Sequence, residues 1–261
     1  MNKSFTPVQL TRHFEGISLE QLNSKAAMLE RLDHKYIIQG STLQAAANHL
    51  AEHFDILEID GKSRFTYDTC YFDDEKYSSY FSHQQGRRRR LKVRVRKYFE
   101  ADLCFVEVKL KALRGSTVKK RFAHEISQYE SLDNGALTSI DDACTAFYGE
   151  RLYGLLSPVL NIRYKRITLV AKQGGERMTI DGNLSFSSAN QTIDVGQDTF
   201  VVETKSANGM GIADSILRLF HQHPTENCSK YCVGMAALKL VSRYNQFLPA
   251  LRKLGLASAI Q

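Results

Sequence analysis

Lys92-Val93-Arg94-Val95-Arg96-Lys97-Tyr98 is the stretch whose reading decides the fold. Strict alternation at period two sends Lys92, Arg94 and Arg96 to one face of a strand and Val93 and Val95 to the other. A sheet with one cationic face either meets a polyanion or lines a wet cavity that holds one. The same pattern recurs along the chain. Arg31, Asp33 and Lys35 share a face opposite Leu32, and Glu107, Lys109 and Lys111 oppose Val106, Val108 and Leu110. Arg166 and Thr168 oppose Ile167 and Leu169, while Arg177, Thr179 and Asp181 oppose Met178 and Ile180. Glu203 and Lys205 complete the series within Val201-Val202-Glu203-Thr204-Lys205.

For any one strand, alternate polar residues also fit the solvent face of a half-exposed sheet. The repeated excess of Arg and Lys, interleaved with single carboxylates, points instead to a shared charged interior. Like charges on neighbouring strands destabilise the sheet unless an anion sits among them. Arginine's fixed fork of donors suits phosphate oxygens, and each such hydrogen bond is charge-assisted. The predicted fold is α+β, an antiparallel barrel with helices around it.

Strands are expected at 30–38, 64–72, 88–99, 103–112, 160–171, 176–181, 184–187 and 199–205. Hairpin connections are expected at Glu100-Ala101-Asp102 and at Gly174-Gly175. Helical spacing predicts a helix from Ser41 to about Leu50, a turn at 77–81, and helices over 119–132, 141–156, 211–221 and 229–244. Residues 1–28 read as a helix or arm, 29–245 as the main domain and 246–261 as a C-terminal tail.

With 261 residues, 43% of them hydrophobic, the chain can bury a sizeable core. The formal charge of +7 favours an anionic partner without choosing among nucleic acid, membrane surface and nucleotide phosphates. Cys70, Cys104, Cys144, Cys228 and Cys232 are an odd set with no tight framework, which predicts a reducing compartment. Neither an apolar leader nor an apolar run of membrane-spanning length is evident, so the expected location is cytoplasmic.

Arg87-Arg88-Arg89-Arg90 resembles a nuclear-import or nucleic-acid patch, but because it leads directly into a strand it reads as barrel rim and entrance, with a solvated charged turn as the alternative. Lys119-Lys120-Arg121 is expected to begin a helix near the same mouth. His221-x-His223 lacks the spacing of a zinc pair, Cys228-x3-Cys232 reads as core packing, and Gly209-x-Gly211 lacks the third glycine of a dinucleotide loop. No phosphate-loop signature or local nucleophilic triad is present, so phosphate chemistry here would use a site built from strands.

Taken in order, Arg31-x-Asp33-x-Lys35-Tyr36, Tyr71-Phe72-Asp73, Lys92-x-Arg94-x-Arg96-Lys97-Tyr98, Phe105-Val106-Glu107-Val108-Lys109, Arg163-Tyr164-Lys165-Arg166, Arg177-Met178-Thr179-Ile180-Asp181, Glu203-Thr204-Lys205 and Ser229-Lys230-Tyr231 form an ordered set. That set resembles the VTC polyphosphate polymerase domain, one of the CYTH-like triphosphate tunnel metalloenzymes. The resemblance implies an antiparallel eight-stranded tunnel-like β-barrel with surrounding helices, lined by basic residues and containing Mn²⁺ or Mg²⁺. It implies transfer of the γ-phosphate of ATP to a growing polyphosphate chain. Lys35, Arg94, Arg96, Lys109, Arg166 and Arg177 would be the catalytic phosphate clamps. Arg31, Lys92, Lys205 and Lys230 would bind substrate, and Glu203 and Glu107 would be the acidic residues at the metal.

Asp33 stands where these enzymes usually have Glu, one methylene longer. The phosphate-sensing domain and membrane spans of the eukaryotic complex are not evident, which leads to the expectation of a stand-alone prokaryotic member. The expected partners are ATP and inorganic polyphosphate, with no nucleic acid. If water replaced the acceptor, the same scaffold would be a tripolyphosphatase or nucleoside triphosphatase. A third reading is a non-catalytic module that binds polyphosphate or nucleotide.

Overall fold

Alternation of charged and apolar side chains builds one large sheet, and the apolar side of that sheet dictates where the helices go. The computed structural model describes residues 10–25, 32–111, 117–151 and 154–257. Its strands are β1 (Gly16–Ile17), β2 (Leu32–Gln39), β3 (Phe54–Leu57), β4 (Phe65–Asp73), β5 (Arg90–Tyr98), β6 (Leu103–Lys111), β7 (Thr117–Ala123), β8 (Ser157–Ala171), β9 (Arg177–Ser188), β10 (Gln191–Asp194) and β11 (Thr199–Ser206). Eight of them run antiparallel in the order β2-β11-β9-β8-β4-β5-β6-β7. The helices are α1 (Leu19–Lys25), α2 (Gly40–His53), α3 (Ser78–Gln84), α4 (Asn134–Tyr148), α5 (Ile212–Leu219), α6 (Lys230–Ala237) and α7 (Leu248–Lys253).

On one half of the outer face, Tyr36, Ile38, Ile167, Leu169, Met178, Ile180 and Val202 bury against Leu43, Ala46, Ala47 and Leu50 of α2 and Ala213, Ile216 and Leu217 of α5. On the other half, Cys70, Phe72, Val93, Val95, Val106, Val108 and Leu110 bury against Ala136, Ile140, Ala143 and Cys144 of α4. Each fully buried Val, Leu or Ile contributes about 1.5–3 kcal/mol. That covering leaves the cationic side chains the inner face.

The α+β class and the path of eight antiparallel strands agree with the sequence. Closure does not. Among the described residues no ladder joins β2 to β7, so the expected barrel is an open, curled sheet. The two edges carry Lys35 and the pair Lys119 and Arg121 on the inner face, and a closing ladder would add to their repulsion. The curl is shown by Lys109 on β6, whose ammonium lies in the field of Lys35 and Glu203 at the far end of the sheet.

Helices α6 and α7 fill one part of the hollow, where Tyr231, Met235, Phe247 and Leu251 join Tyr71, Leu160, Ile162 and Phe186 in a third core. The approach of α6 to the sheet requires Gly234, since a Cβ there would stand 2.6 Å from the Phe186 ring and 2.8 Å from Leu160. A register shift between β8 and β9, at Asn183 with φ of 51°, lets Asp181 and Phe186 face the same side. The expected strands 176–181 and 184–187 are therefore one strand.

The helix expected over 119–132 is overturned. Residues 117–123 form β7, where Lys119 and Arg121 face inward and Phe122 packs toward α4. Helix α4 starts earlier than expected, at Asn134, because the Asp133 carboxylate accepts from the Ala136 amide at 2.6 Å. It stops at Gly149, φ 75°. The helix expected over 229–244 ends at Ala237, just before Lys239 at φ 52°. No helix among the described residues is long and apolar enough to cross a membrane.

Candidate functional site

The inner face of β5, β6 and β7 gathers cations around one carboxylate. Glu107, 2% exposed, stands opposite Arg94 on one side and Arg121 on the other. Arg94 donates to it through Nε at 2.8 Å and Nη2 lies 2.6 Å away. Arg96 is 3.6 Å from it, Lys119 2.5 Å and Arg121 3.3 Å. Burial alone would raise the Glu107 carboxyl, but Arg94, Arg96 and Lys119 hold it far below the usual carboxylate range. The carboxylate sets the spacing of four positive side chains.

Across the hollow the charges are shared differently. Arg166 on β8 donates from Nε and Nη2 to the two oxygens of Asp181 on β9, at 2.6 and 2.7 Å. Lys230, at the start of α6, donates to the same carboxylate at 2.6 Å. Asp181 is completely buried, and despite that burial Arg166 and Lys230 hold its carboxyl below its ordinary value. On β11, Glu203 pairs with Lys205 and lies 3.6 Å from Lys35 of β2. Lys205 also reaches Asp33 at 3.2 Å. Lys35 and Lys205 hold the Glu203 carboxyl well below the usual range against the opposing effect of burial.

Tyrosines lie beneath the guanidiniums. Tyr67 stacks on Tyr164 with centroids 5.3 Å apart, and Tyr71 stacks on Tyr231 at 4.9 Å. Arg96 and Arg166 both sit over Tyr67, at 5.4 and 5.1 Å, and Lys230 sits over Tyr164 at 5.2 Å. Arg94 donates to the Tyr71 hydroxyl at 2.8 Å, and Arg96 to Thr69 Oγ1 at 3.3 Å. These contacts restrict the rotamers of three arginines before any ligand arrives.

Lys35, Arg94, Arg96, Lys109, Arg166, Lys205 and Lys230 thus line one hollow. Arg177 stands in register beside Lys205, and Lys92 beside Lys109, with Lys92 donating to Ser229 Oγ at 2.7 Å. Arg31 lies outside the described residues. Lys119, Arg121, Asp181 and the tyrosines also belong to the site, although the sequence reading did not name them as site residues. The clue to the first two was the alternation Val118-Lys119-Lys120-Arg121-Phe122. Nothing in the sequence marked the tyrosines apart from ordinary core.

Residues 30–239 match the family model described as the VTC domain. No curated protein sequence matches the chain. Among solved structures, the chain is similar to a candidate adenylate cyclase from Bacillus halodurans, with 14% identity and a TM-score of 0.49, over 76% of this chain and 95% of that one. A candidate adenylyl cyclase from Hippeastrum with a dominant triphosphatase activity is similar at 13% identity and a TM-score of 0.46, over 79% and 95%. The PH1819 protein of Pyrococcus horikoshii follows at 12% identity and a TM-score of 0.42, over 77% and 95%.

Proposed function

The chain belongs to the VTC domain family, and we propose that it is a metal-dependent polyphosphate polymerase that moves the γ-phosphate of ATP onto a polyphosphate chain. The observation that carries this reading is the convergence of cations from β2, β5, β6 and β8 on one hollow that also holds Glu203. Phosphoryl transfer needs positioning and neutralisation of charge more than it needs a protein nucleophile. Lys35, Arg94, Arg96, Lys109, Arg166 and Arg177 hold the triphosphate oxygens, while Arg31, Lys92, Lys205 and Lys230 extend the contact. The acceptor brings its own nucleophilic oxygens, so no activated serine is required.

A divalent ion, Mn²⁺ or Mg²⁺, is part of the proposal. Among the described residues no cluster of three or more His, Cys, Asp or Glu side chains gathers to cage an ion by itself. Asp33 and Glu203, which share Lys205, are a two-carboxylate donor set. Small hard cations are held in that way, by one or two carboxylates with substrate phosphates and water completing the shell. The donors therefore fit an ion that arrives with its nucleotide, and its chemistry there is to neutralise charge on phosphate oxygens. Glu107, with four cations around it, is assigned to spacing those cations. The free, buried thiols of all five cysteines go with a reducing cytoplasm.

The test is incubation of the purified protein with ATP and Mn²⁺, followed by separation of orthophosphate from long polyphosphate on a gel. Polymer is the expected product. Orthophosphate alone would make the protein a triphosphatase, and tight polyphosphate binding without turnover would make it a binding module. Arg94→Ala and Glu203→Ala are each expected to lower turnover by about 100-fold or more while keeping the wild-type far-ultraviolet circular dichroism. Full activity in both variants would remove the site assignment.

A further inference from the structure

Arg94 has a partner at each guanidinium nitrogen. Nε and Nη2 lie 2.8 and 2.6 Å from the Glu107 carboxylate, and Nη1 donates to the Tyr71 hydroxyl oxygen at 2.8 Å. Tyr71 of β4 is 6% exposed, and a phenol so buried needs a partner for its own hydrogen. Tyr36, Tyr80 and Tyr231, at least as deeply buried, each donate theirs: to Asp214 at 2.6 Å, to the Arg243 carbonyl at 2.8 Å and to Asp73 at 2.5 Å. The Tyr71 hydrogen has no acceptor among the described residues. Tyr67 and Tyr164, also in the hollow, meet Arg166 with their ring faces instead.

The ring is fixed, so it does not swing to find one. It stacks on Tyr231 of α6 with centroids 4.9 Å apart, and Leu160 stands beside it in register on β8. Asp73, two positions further along β4, is already taken. It accepts from the Tyr231 hydroxyl and from the amides of Asp74, Ser79 and Tyr80. The charged groups that face the phenol are Lys92, Arg94 and Arg96 of β5, all of them cations. Burial raises the phenol, but these three outweigh it and hold Tyr71 below its ordinary value, whereas burial pushes Tyr67 up to about 12. A donor without an acceptor, set among cations, suits an anionic oxygen.

We propose that the Tyr71 hydroxyl donates a hydrogen bond to a phosphate oxygen of the polyanion held at Arg94, which makes Tyr71 a substrate-contacting residue. The proposal rests on the proposed function and adds a neutral donor to its cationic clamps. Arg94 supplies charge there, and the phenol supplies direction, since a hydrogen bond weakens steeply when bent. No proton is transferred. The bond lasts as long as the phenol keeps its hydrogen, and a phenolate would repel the phosphate it had held. Linkage makes the effect reciprocal, so a bound polyanion pushes the Tyr71 phenol back up.

Two measurements on the full chain test the contact, with Tyr71→Phe keeping the ring and its stack. The first follows tyrosinate by ultraviolet absorbance as pH rises, and the step present in wild type but missing from Tyr71→Phe belongs to Tyr71. Saturating tripolyphosphate should move that step up by about one pH unit, the counterpart of about tenfold weaker binding to the phenolate form. The second is a double-mutant cycle on the dissociation constant for tripolyphosphate at about pH 7, with Arg94→Ala as the other arm and circular dichroism as the check on folding. Tyr71→Phe should weaken binding about tenfold in wild type and still at least about threefold beside Arg94→Ala. A tyrosinate step that tripolyphosphate leaves in place would overturn the contact. So would a cycle in which Tyr71→Phe has no effect once Arg94 is gone, since the phenol would then only position the guanidinium. Either result leaves the proposed function standing, because wild type still binds the ligand. Wild-type protein that does not bind tripolyphosphate would remove the proposed function and the contact together.

Discussion

The two wings of the hollow solve the problem of crowded cations in opposite ways. On β5, β6 and β7 a single carboxylate, Glu107, serves Arg94, Arg96, Lys119 and Arg121. On β2, β8, β9, β11 and α6, three carboxylates, Asp33, Asp181 and Glu203, are divided among Lys35, Arg166, Lys205 and Lys230. Among these paired groups the first wing keeps three positive charges in excess of its carboxylate and the second keeps one. A concave, partly desolvated surface of one sign concentrates counter-ions. Under the proposed function, the first wing would attract the polyanion and the second would offer a place for a cation.

The contrast can be broken by removing carboxylates, and this is the largest effect expected. Glu107→Ala leaves four cations around an empty centre and should cost roughly 3–5 kcal/mol of stability, the scale for losing one partner of a buried ion pair. Asp181→Ala should cost less, although Asp181 is the more deeply buried, because Glu203 remains within the field of Arg166. Urea midpoints at constant slope give the comparison. Equal costs, or the reverse order, would mean that the wings do not differ in charge compensation.

A second measurement sharpens the assignment of the metal. Glu203→Ala should raise the Mn²⁺ concentration needed for half-maximal turnover at least about tenfold, whereas Glu107→Gln should leave that requirement where it was. Without metal, tripolyphosphate should bind Glu203→Ala no more weakly than wild type, since Lys35 and Lys205 lose their carboxylate partner. If Glu107→Gln also shifts the Mn²⁺ requirement, the ion belongs between the wings.

How much of this was legible depended on how far apart the cooperating residues lie. Period-two alternation is local, so β5, β6, β8 and β11 and their charged faces were readable from the chain. The strand β7 was hidden because Lys119, Lys120 and Arg121 are contiguous, and a run of three cations obscures that only the first and third face inward. The shift at Asn183 was hidden for a related reason. One positive φ reverses the alternation, placing Asp181 and Phe186 on one side although they stand an odd number of positions apart. The tyrosine layer joins β4, β8 and α6, and tyrosine in a strand reads equally well as core. Openness between β2 and β7 is a property of the sheet's edges, which no single segment encodes.

The smallest effect expected tests the first wing through pH. Burial lowers the ammonium of Lys109 from 10.5 to about 8, with Lys35 adding to the shift, and burial lowers Lys119 to about 8 although Glu107 pulls it the other way. Below about pH 8 both carry charge; above it the folded protein releases protons that the unfolded chain keeps until near its ordinary lysine value. Stability of the ligand-free protein should therefore rise as pH goes from about 8 toward 10.5, while affinity for a polyanion falls through the same values. Both side chains touch solvent in the hollow, so screening limits the change in tripolyphosphate affinity to about threefold between pH 7 and 9. Lys109→Arg keeps its charge throughout and should remove about half of that change. The comparison also cancels any titration of the ligand itself, which is common to both proteins. A Lys109→Arg profile identical to wild type, or an affinity that increases with pH, would move the cation that matters away from the first wing.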